Sequence, residues 1–112
     1  MLIDFKNMPQ QKLEHFKGGE GCMLAKTFSD GKNKILLAQL APGNNVGIHK
    51  HEMNSEIVYV VSGVATIKYD GGPDEILHPG EVHYCPQDHH HAVCNEGTEI
   101  LTFFAVVPEH HQ

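Results

Sequence analysis

The amino-acid sequence predicts an all-β protein whose strands form a barrel or a sandwich. Two observations support this fold class. From residue 34 onward, short segments rich in β-branched and aromatic side chains follow one another at regular spacing. Glycine, proline and asparagine separate these segments, and these residues are typical of the tight turns that join antiparallel strands.

The first third of the chain is less regular. Residues 13–17 could form a short helical turn, and the glycines that follow, Gly18, Gly19 and Gly21, end it. Residues 23–28 are a candidate strand. We therefore expect residues 1–33 to form an N-terminal arm or strand that packs on a barrel of residues 34–112, the whole being one domain.

The predicted barrel strands follow in order, and each ends at a turn signal such as Pro42-Gly43, Asp70-Gly71-Gly72 or Pro79-Gly80. These strands span residues 34–40, 46–51, 56–61, 64–69, 73–77, 82–85, 91–94 and 99–107.

Composition restricts the class of protein. The chain has 112 residues, which is close to the usual size of one domain, and it is 40% hydrophobic and 20% charged. A net charge of −6 argues against a nucleic-acid surface, and no stretch approaches the roughly 18 apolar residues of a membrane span. We expect neither nucleic acid nor a membrane as a partner.

The cysteines indicate the cellular compartment of the protein. The chain has an odd number of them, Cys22, Cys85 and Cys94, and no C-x2-C pair is present. The first residues do not form the apolar region of a secretory signal. We therefore expect reduced thiols and a cytoplasmic protein.

A metal-binding pattern lies between Gly43 and Gly63. His49 and His51 are alternate residues, so in a strand their side chains point to the same face, and Glu56 follows five residues later. Imidazole nitrogens and a carboxylate oxygen so placed can converge on one divalent ion. The spacing predicts a metal site that contains these three residues.

A second pattern follows downstream at Gly80, Pro86, Asp88, His91 and Asn95. The two patterns together resemble the paired motifs of the cupin superfamily, G-x5-H-x-H-x4-E-x6-G and G-x5-P-x-G-x2-H-x3-N, in a small single-domain form. Asp88 stands where the family has glycine, a position that we expect to need positive φ, which aspartate tolerates.

The resemblance implies a double-stranded β-helix, the jelly-roll barrel of the cupin type, with a metal inside one end. It implies His91 as a fourth ligand beside His49, His51 and Glu56. The ion would be one divalent transition metal, and the ligand set does not identify which of Fe, Mn, Co, Ni, Cu and Zn it is. The alternative is that the histidines are satisfied by hydrogen bonds alone. We expect His89 and His90 to be exposed loop residues, and His78 and His83 to lie at the surface or rim.

Strand parity suggests which side chains line a pocket. If Glu56 points inward, so do Val58 and Val60. For the last strand we favour Leu101, Phe103 and Ala105 inward, and Ile100, Thr102 and Phe104 are the alternative. Met53 is a candidate rim residue or a core gap-filler, and Tyr84 or His83 could act as an acid or base. The candidate pocket residues are Met53, Val58, Val60, Tyr84 and Phe103.

Two functions remain open. The first is a metal-dependent enzyme that acts on a sugar, a sugar acid or another oxygen-rich small molecule, by isomerase, lyase or dioxygenase chemistry. The second is a non-catalytic module that binds a small ligand or senses a metal. Phosphomannose isomerases of the superfamily need a cluster of basic residues, and Lys50 alone is not such a cluster.

The outer face of one strand predicts assembly. Ile57, Tyr59 and Val61 alternate with the inward residues and must face outward, where they form an apolar patch. We expect a homodimer to cover this patch; the alternative is that the N-terminal segment covers it through Leu24 and Phe28.

Overall fold

The computed structural model describes residues 1–110, so the last two residues of the predicted range 34–112 lie outside the described part. Ten strands and two short 3₁₀ turns, Phe5–Asn7 and Phe16–Gly18, make up the described chain. The strands are β1 Gln11–Glu14, β2 Cys22–Ser29, β3 Asn33–Leu40, β4 Asn45–Lys50, β5 Glu56–Ser62, β6 Ala65–Tyr69, β7 Glu75–Leu77, β8 Val82–Cys85, β9 His90–Cys94 and β10 Leu101–Pro108.

The strands form two antiparallel sheets that face each other. The larger sheet has the order β1-β2-β3-β10-β5-β8, and the smaller has the order β4-β9-β6-β7. Neighbours in the sheets come from distant parts of the chain, as in a jelly roll. The prediction of an all-β jelly-roll barrel is confirmed.

The core lies between the two sheets and is filled by alternate residues of each strand. On β10, Leu101, Phe103 and Ala105 are buried, whereas Ile100 just before the strand is 55% exposed. The favoured parity of the last strand is therefore confirmed. Val58 and Val60 on β5 are also completely buried, as parity from Glu56 predicts.

The N-terminal third extends the larger sheet. The predicted strand at residues 23–28 is present as β2, which pairs with β3. The helical turn predicted at residues 13–17 is wrong in part, because β1 occupies residues 11–14 and pairs with β2, and only the 3₁₀ turn Phe16–Gly18 remains. Pairing along β2 outweighs the weak local preference of this segment for a helix.

Helical structure in residues 1–110 is too short and too polar to provide a membrane-spanning segment.

Candidate functional site

Four side chains with metal-binding atoms meet at one end of the barrel. His49 lies near the end of β4, His51 directly after it, Glu56 at the start of β5 and His91 on β9. His49 and His91 are direct cross-strand partners, which places their side chains together on the inner face. The four ligating atoms lie within 4.8 Å of one another.

The distances between these atoms suit a shared ion. The Nε2 atoms of His51 and His91 are 3.0 Å apart, and the Oε1 atom of Glu56 lies 2.9 Å from His91 Nε2 and 3.2 Å from His51 Nε2. His49 Nε2 is 4.0 Å from the same oxygen. Adjacent ligands of an octahedral ion bonded at about 2.1 Å are separated by about 3 Å, so most of these spacings are those of neighbouring ligands.

The other ring nitrogen of each histidine is held by a partner behind it. His49 Nδ1–H donates to the Gly47 carbonyl at 2.7 Å, and His51 Nδ1–H donates to Asn54 Oδ1 at 2.5 Å. His91 Nδ1 lies 3.0 Å from His83 Nε2. When each ring keeps its proton on Nδ1 and has none on Nε2, as a metal ligand requires, the Nε2 lone pairs face a common point beside a carboxylate. Three imidazoles and one carboxylate fit a divalent transition metal.

The electrostatics keep two of the four groups deprotonated near neutral pH. Burial lowers the pKa of His49 to about 4. Burial acts to raise the pKa of Glu56, but hydrogen bonds from His51 and His91 outweigh it and lower the pKa to about 2. Burial also acts to lower the pKa of His51, yet its bonds to Glu56 and Asn54 prevail, and the pKa of His51 is raised. His51 is thus the ligand of these three that a proton reaches first.

A cavity of about 380 Å³ is lined by three of the four groups, His49, His51 and Glu56. Its deep wall is apolar and includes Met23, Leu36, Val93 and Phe103. Its mouth carries exposed charged residues, among them the three lysines Lys17, Lys34 and Lys50 and the single additional carboxylate Glu52. The sequence motif contains Lys50 alone; Lys17 and Lys34 come to the same cavity through the folding of distant segments, which the motif does not predict.

The predicted pocket residues divide into two groups. Met53 and Phe103 line the cavity, and Met53 is 55% exposed at its mouth. Val58 and Val60 point inward but pack in the apolar core away from the cavity. Tyr84 is 54% exposed on the outer face of β8 and does not line the cavity.

His83 departs most from its prediction. It was expected at the surface or rim, but it is only 2% exposed. The reason is the register of β8 on β5, which pairs His83 with Val58 and Cys85 with Glu56, so that His83 and Cys85 share the inner face. The same register turns Tyr84 outward. Burial lowers the pKa of His83, and the hydrogen bond to Glu75 opposes this only in part.

His78, His89 and His90 are not among the four groups. His78 is exposed and pairs with Glu81, as expected for a surface residue. His89 is partly exposed and His90 is exposed, and each contacts Asp70 in the loop that follows β6. His90 is the first residue of β9 and not a loop residue, because it pairs with Lys50 of β4.

Turn residues of the two motifs stabilise the backbone segments that carry the candidate ligands. Asp88 has φ 72°, so the predicted positive φ is confirmed, and its backbone N–H donates to the His51 carbonyl. Asn95 is 1% exposed, and its side-chain amide donates to the carbonyls of Leu40 and Glu99. A Cβ added at Gly63 would lie 2.5 Å from the Ile100 carbonyl oxygen, so only glycine fits this turn.

Comparison with known proteins agrees with this architecture. An "Oxalate-binding protein" of Thermotoga maritima is 28% identical over 113 residues, covering 96% of this chain and 93% of that protein. The crystal structure of a predicted oxalate decarboxylase from the same organism has a TM-score of 0.90 and 25% identity, covering 97% of this chain and 99% of that one.

A more distant structure shares the fold. KdgF from Halomonas sp. has a TM-score of 0.78 at 18% identity, covering 97% of this chain and 94% of its own. A family model described as Cupin domain matches residues 36–107, which include all four groups of the candidate site. With both motifs, the jelly-roll fold and this match in place, the chain belongs to the cupin family.

Proposed function

We propose that this protein is a metal-dependent cupin that acts on a small, oxygen-rich anion such as a sugar acid or a short dicarboxylate. His49, His51, Glu56 and His91 would hold one divalent ion of Fe, Mn, Co, Ni, Cu or Zn. One observation carries the proposal: three imidazoles and a carboxylate converge, and three of these groups line a cavity that also has three exposed lysines.

The charges of the cavity favour an anion. Lys17, Lys34 and Lys50 outnumber the carboxylate of Glu52 at the mouth, although the whole chain has a net charge of −6. Among the described residues, the lysines found in ion pairs are Lys12 and Lys68, so the three at the mouth keep their charge for a ligand. A positive cavity in an acidic protein raises the local concentration of small anions.

Some side chains of the cavity would bind the metal and the ligand, and others would exclude water. The four groups would hold the ion, and the ion would supply Lewis-acid polarisation of a bound carbonyl or carboxylate. The lysines orient the acidic part of the ligand, while Phe103 and Val93 keep the deep wall dry.

The relatives support a small acidic ligand. One is named an oxalate-binding protein, and a second is described as a predicted oxalate decarboxylase. Oxalate is a short dicarboxylate, which suits a cavity lined by both candidate metal ligands and lysines.

A binding module without turnover is the second candidate. It is favoured by the positions of the two residues considered for proton transfer. Tyr84 lies on the outer face of β8, and His83 is buried behind His91 rather than in the cavity.

Calorimetric titration of the metal-loaded protein tests the ligand class. We expect oxalate and a sugar acid to bind and a neutral polyol of similar size not to bind. Lys34→Gln should lower the affinity for the anion by about two- to fivefold, which is the effect expected from the loss of one exposed charge pair. Lys32→Gln, an exposed lysine outside the cavity, is the matched control. Equal binding of the neutral polyol would refute the proposed class.

Product analysis on the same samples separates the two candidates. Turnover of a bound anion that is lost in His51→Ala would identify an enzyme. Tight binding without any product over many hours would favour the binding module.

A further inference from the structure

A buried hydrogen-bonded chain runs from His91 to the outside of the barrel. His91 Nδ1 lies 3.0 Å from His83 Nε2, and His83 Nδ1 lies 2.7 Å from Glu75 Oε1. The His83 side chain is 1% exposed, whereas that of Glu75 is 42% exposed. A carboxylate at the surface is therefore connected to a candidate metal ligand through one buried imidazole.

When both imidazoles are neutral, the two carboxylates at the ends of this chain favour opposite arrangements: Glu56 favours a proton on His91 Nε2, and Glu75 favours the arrangement that a metal ligand needs. In the arrangement that Glu75 favours, the carboxylate accepts and His83 carries its proton on Nδ1. His83 Nε2 is then an acceptor, so His91 must donate from Nδ1–H. This leaves the lone pair on His91 Nε2, the atom that faces Glu56 and His51.

The packing also fixes the ring planes. The rings of His83 and His91 stack at 5.2 Å with an interplanar angle of 28°, and Tyr69 meets His83 edge-on at 5.3 Å. Glu75 is on β7 and His83 on β8, which are edge strands of opposite sheets. The bond between them therefore joins the two sheets behind the candidate metal site.

His91 differs in this respect from the other two histidines. His49 and His51 are held by neutral acceptors, a carbonyl and an amide, that lie two and three residues away in the chain. His91 is held through a second imidazole whose partner is a carboxylate. A carboxylate behind a histidine ligand makes the ligand a stronger electron donor.

We propose that His83 and Glu75 are positioning residues for the metal site, which fix the tautomer and orientation of His91 and so set metal affinity. This inference rests on the proposed metal site. Its rival is a purely structural role, in which the Glu75–His83 bond only joins two sheet edges.

Titration with Co(II), followed by its visible absorption, distinguishes these roles. We expect Glu75→Gln to weaken Co(II) binding by about tenfold and His83→Phe by about 10- to 100-fold, with a changed absorption spectrum in both. His83→Gln, which can still accept from His91, should recover part of the affinity. Glu81→Gln removes the carboxylate of the exposed His78–Glu81 pair and is the matched control.

Nitrogen-15 NMR of the Zn(II)-loaded protein gives a second, independent readout. The inference predicts His83 protonated at Nδ1, with an unprotonated Nε2 that accepts from His91 Nδ1–H. Failure of the wild type to bind Co(II) would refute the proposed function. Wild-type binding with unchanged affinity and spectrum in Glu75→Gln and His83→Phe, or a wild-type His83 protonated at Nε2 in the Zn(II)-loaded protein, would refute the inference alone.

Discussion

His49 and His51 lie side by side, with ring centroids 4.8 Å apart, yet protons affect them differently. Burial lowers the pKa of His49 to about 4, and the pKa of Glu56 is about 2, so both stay deprotonated near neutral pH. The pKa of His51 is raised above its ordinary value of 6.5 by Glu56 and Asn54, which outweigh burial. Of these three groups, His51 is therefore the one at which a proton competes most strongly with a metal.

Metal affinity should therefore depend on pH through His51. In the metal-free chain the raised pKa keeps His51 protonated above pH 6.5, and a metal must expel that proton. Affinity should be constant well above this pKa and fall by about tenfold per pH unit below it. Co(II) titrations from pH 8 to pH 5 measure this, with His78→Gln as the control for an exposed histidine. An affinity that is flat across this range would contradict the assigned ligands.

At the scale of single residues, spacing predicted His49, His51 and Glu56, because ligands close in sequence leave a readable motif, and the cupin resemblance added His91. His83 and Lys17 carry no such motif. His83 enters the site region only through the register of β8 on β5, and Lys17 only through the packing of its 3₁₀ turn against the barrel. Both depend on contacts between distant segments, and local sequence does not encode them.

At the scale of elements, the 3₁₀ turn Phe16–Gly18 forms one wall of the cavity through Phe16 and Lys17. The backbone is strained here, because His15 and Lys17 both have positive φ, at 50° and 55°. Gly47 on β4 allows the close approach, since a Cβ at this position would lie 2.1 Å from the Lys17 carbonyl oxygen.

Gly47→Ala should therefore move this wall. The added methyl group cannot fit without displacing backbone, and we expect a loss of about 1–3 kcal/mol in the free energy of unfolding together with weaker anion binding. Chemical denaturation and calorimetry measure the two effects. Gly72→Ala is the control, because its Cβ would meet nothing nearer than 3.5 Å. Wild-type stability and anion affinity in Gly47→Ala would show that the turn does not need this contact.

Strand prediction worked where turn signals and β-branched runs coincide. Residues 82–85 were predicted with the observed bounds of β8, and 56–61 differ from β5 by one residue. The error at residues 13–17 arose where the segment is short and its strand exists only because β2 lies beside it. Inward and outward faces followed from parity wherever a ligand fixed one residue of the strand.

At the scale of the whole molecule, an apolar patch remains exposed on the outer face of β5 and β8. It consists of Ile57, Tyr59, Val61, Val82 and Tyr84, which are 38–56% exposed. Cross-strand pairing brings Ile57 beside Tyr84 and Tyr59 beside Val82. The N-terminal strands do not cover it, since β1 and β2 lie at the opposite edge of the sheet. A second copy of the chain could cover the patch.

We expect a homodimer built on this patch. Sedimentation equilibrium at micromolar concentration should give about 25 kDa, twice the 12.4 kDa of one chain. Tyr59→Lys combined with Val82→Lys should give the monomer mass, because charges are costly in a buried interface. Ile76→Lys, on the exposed face of the other sheet, should remain dimeric. A wild-type mass of one chain at these concentrations would contradict the prediction.

The central claim is that one metal ion binds between His49, His51, Glu56 and His91. Anomalous diffraction from crystals grown with Co(II), collected at the cobalt edge, tests it most directly. The account predicts a single strong peak within about 2.0–2.2 Å of the three Nε2 atoms and the Glu56 carboxylate. No peak between these residues, or a peak beside Asp70, His89 and His90 instead, would contradict it.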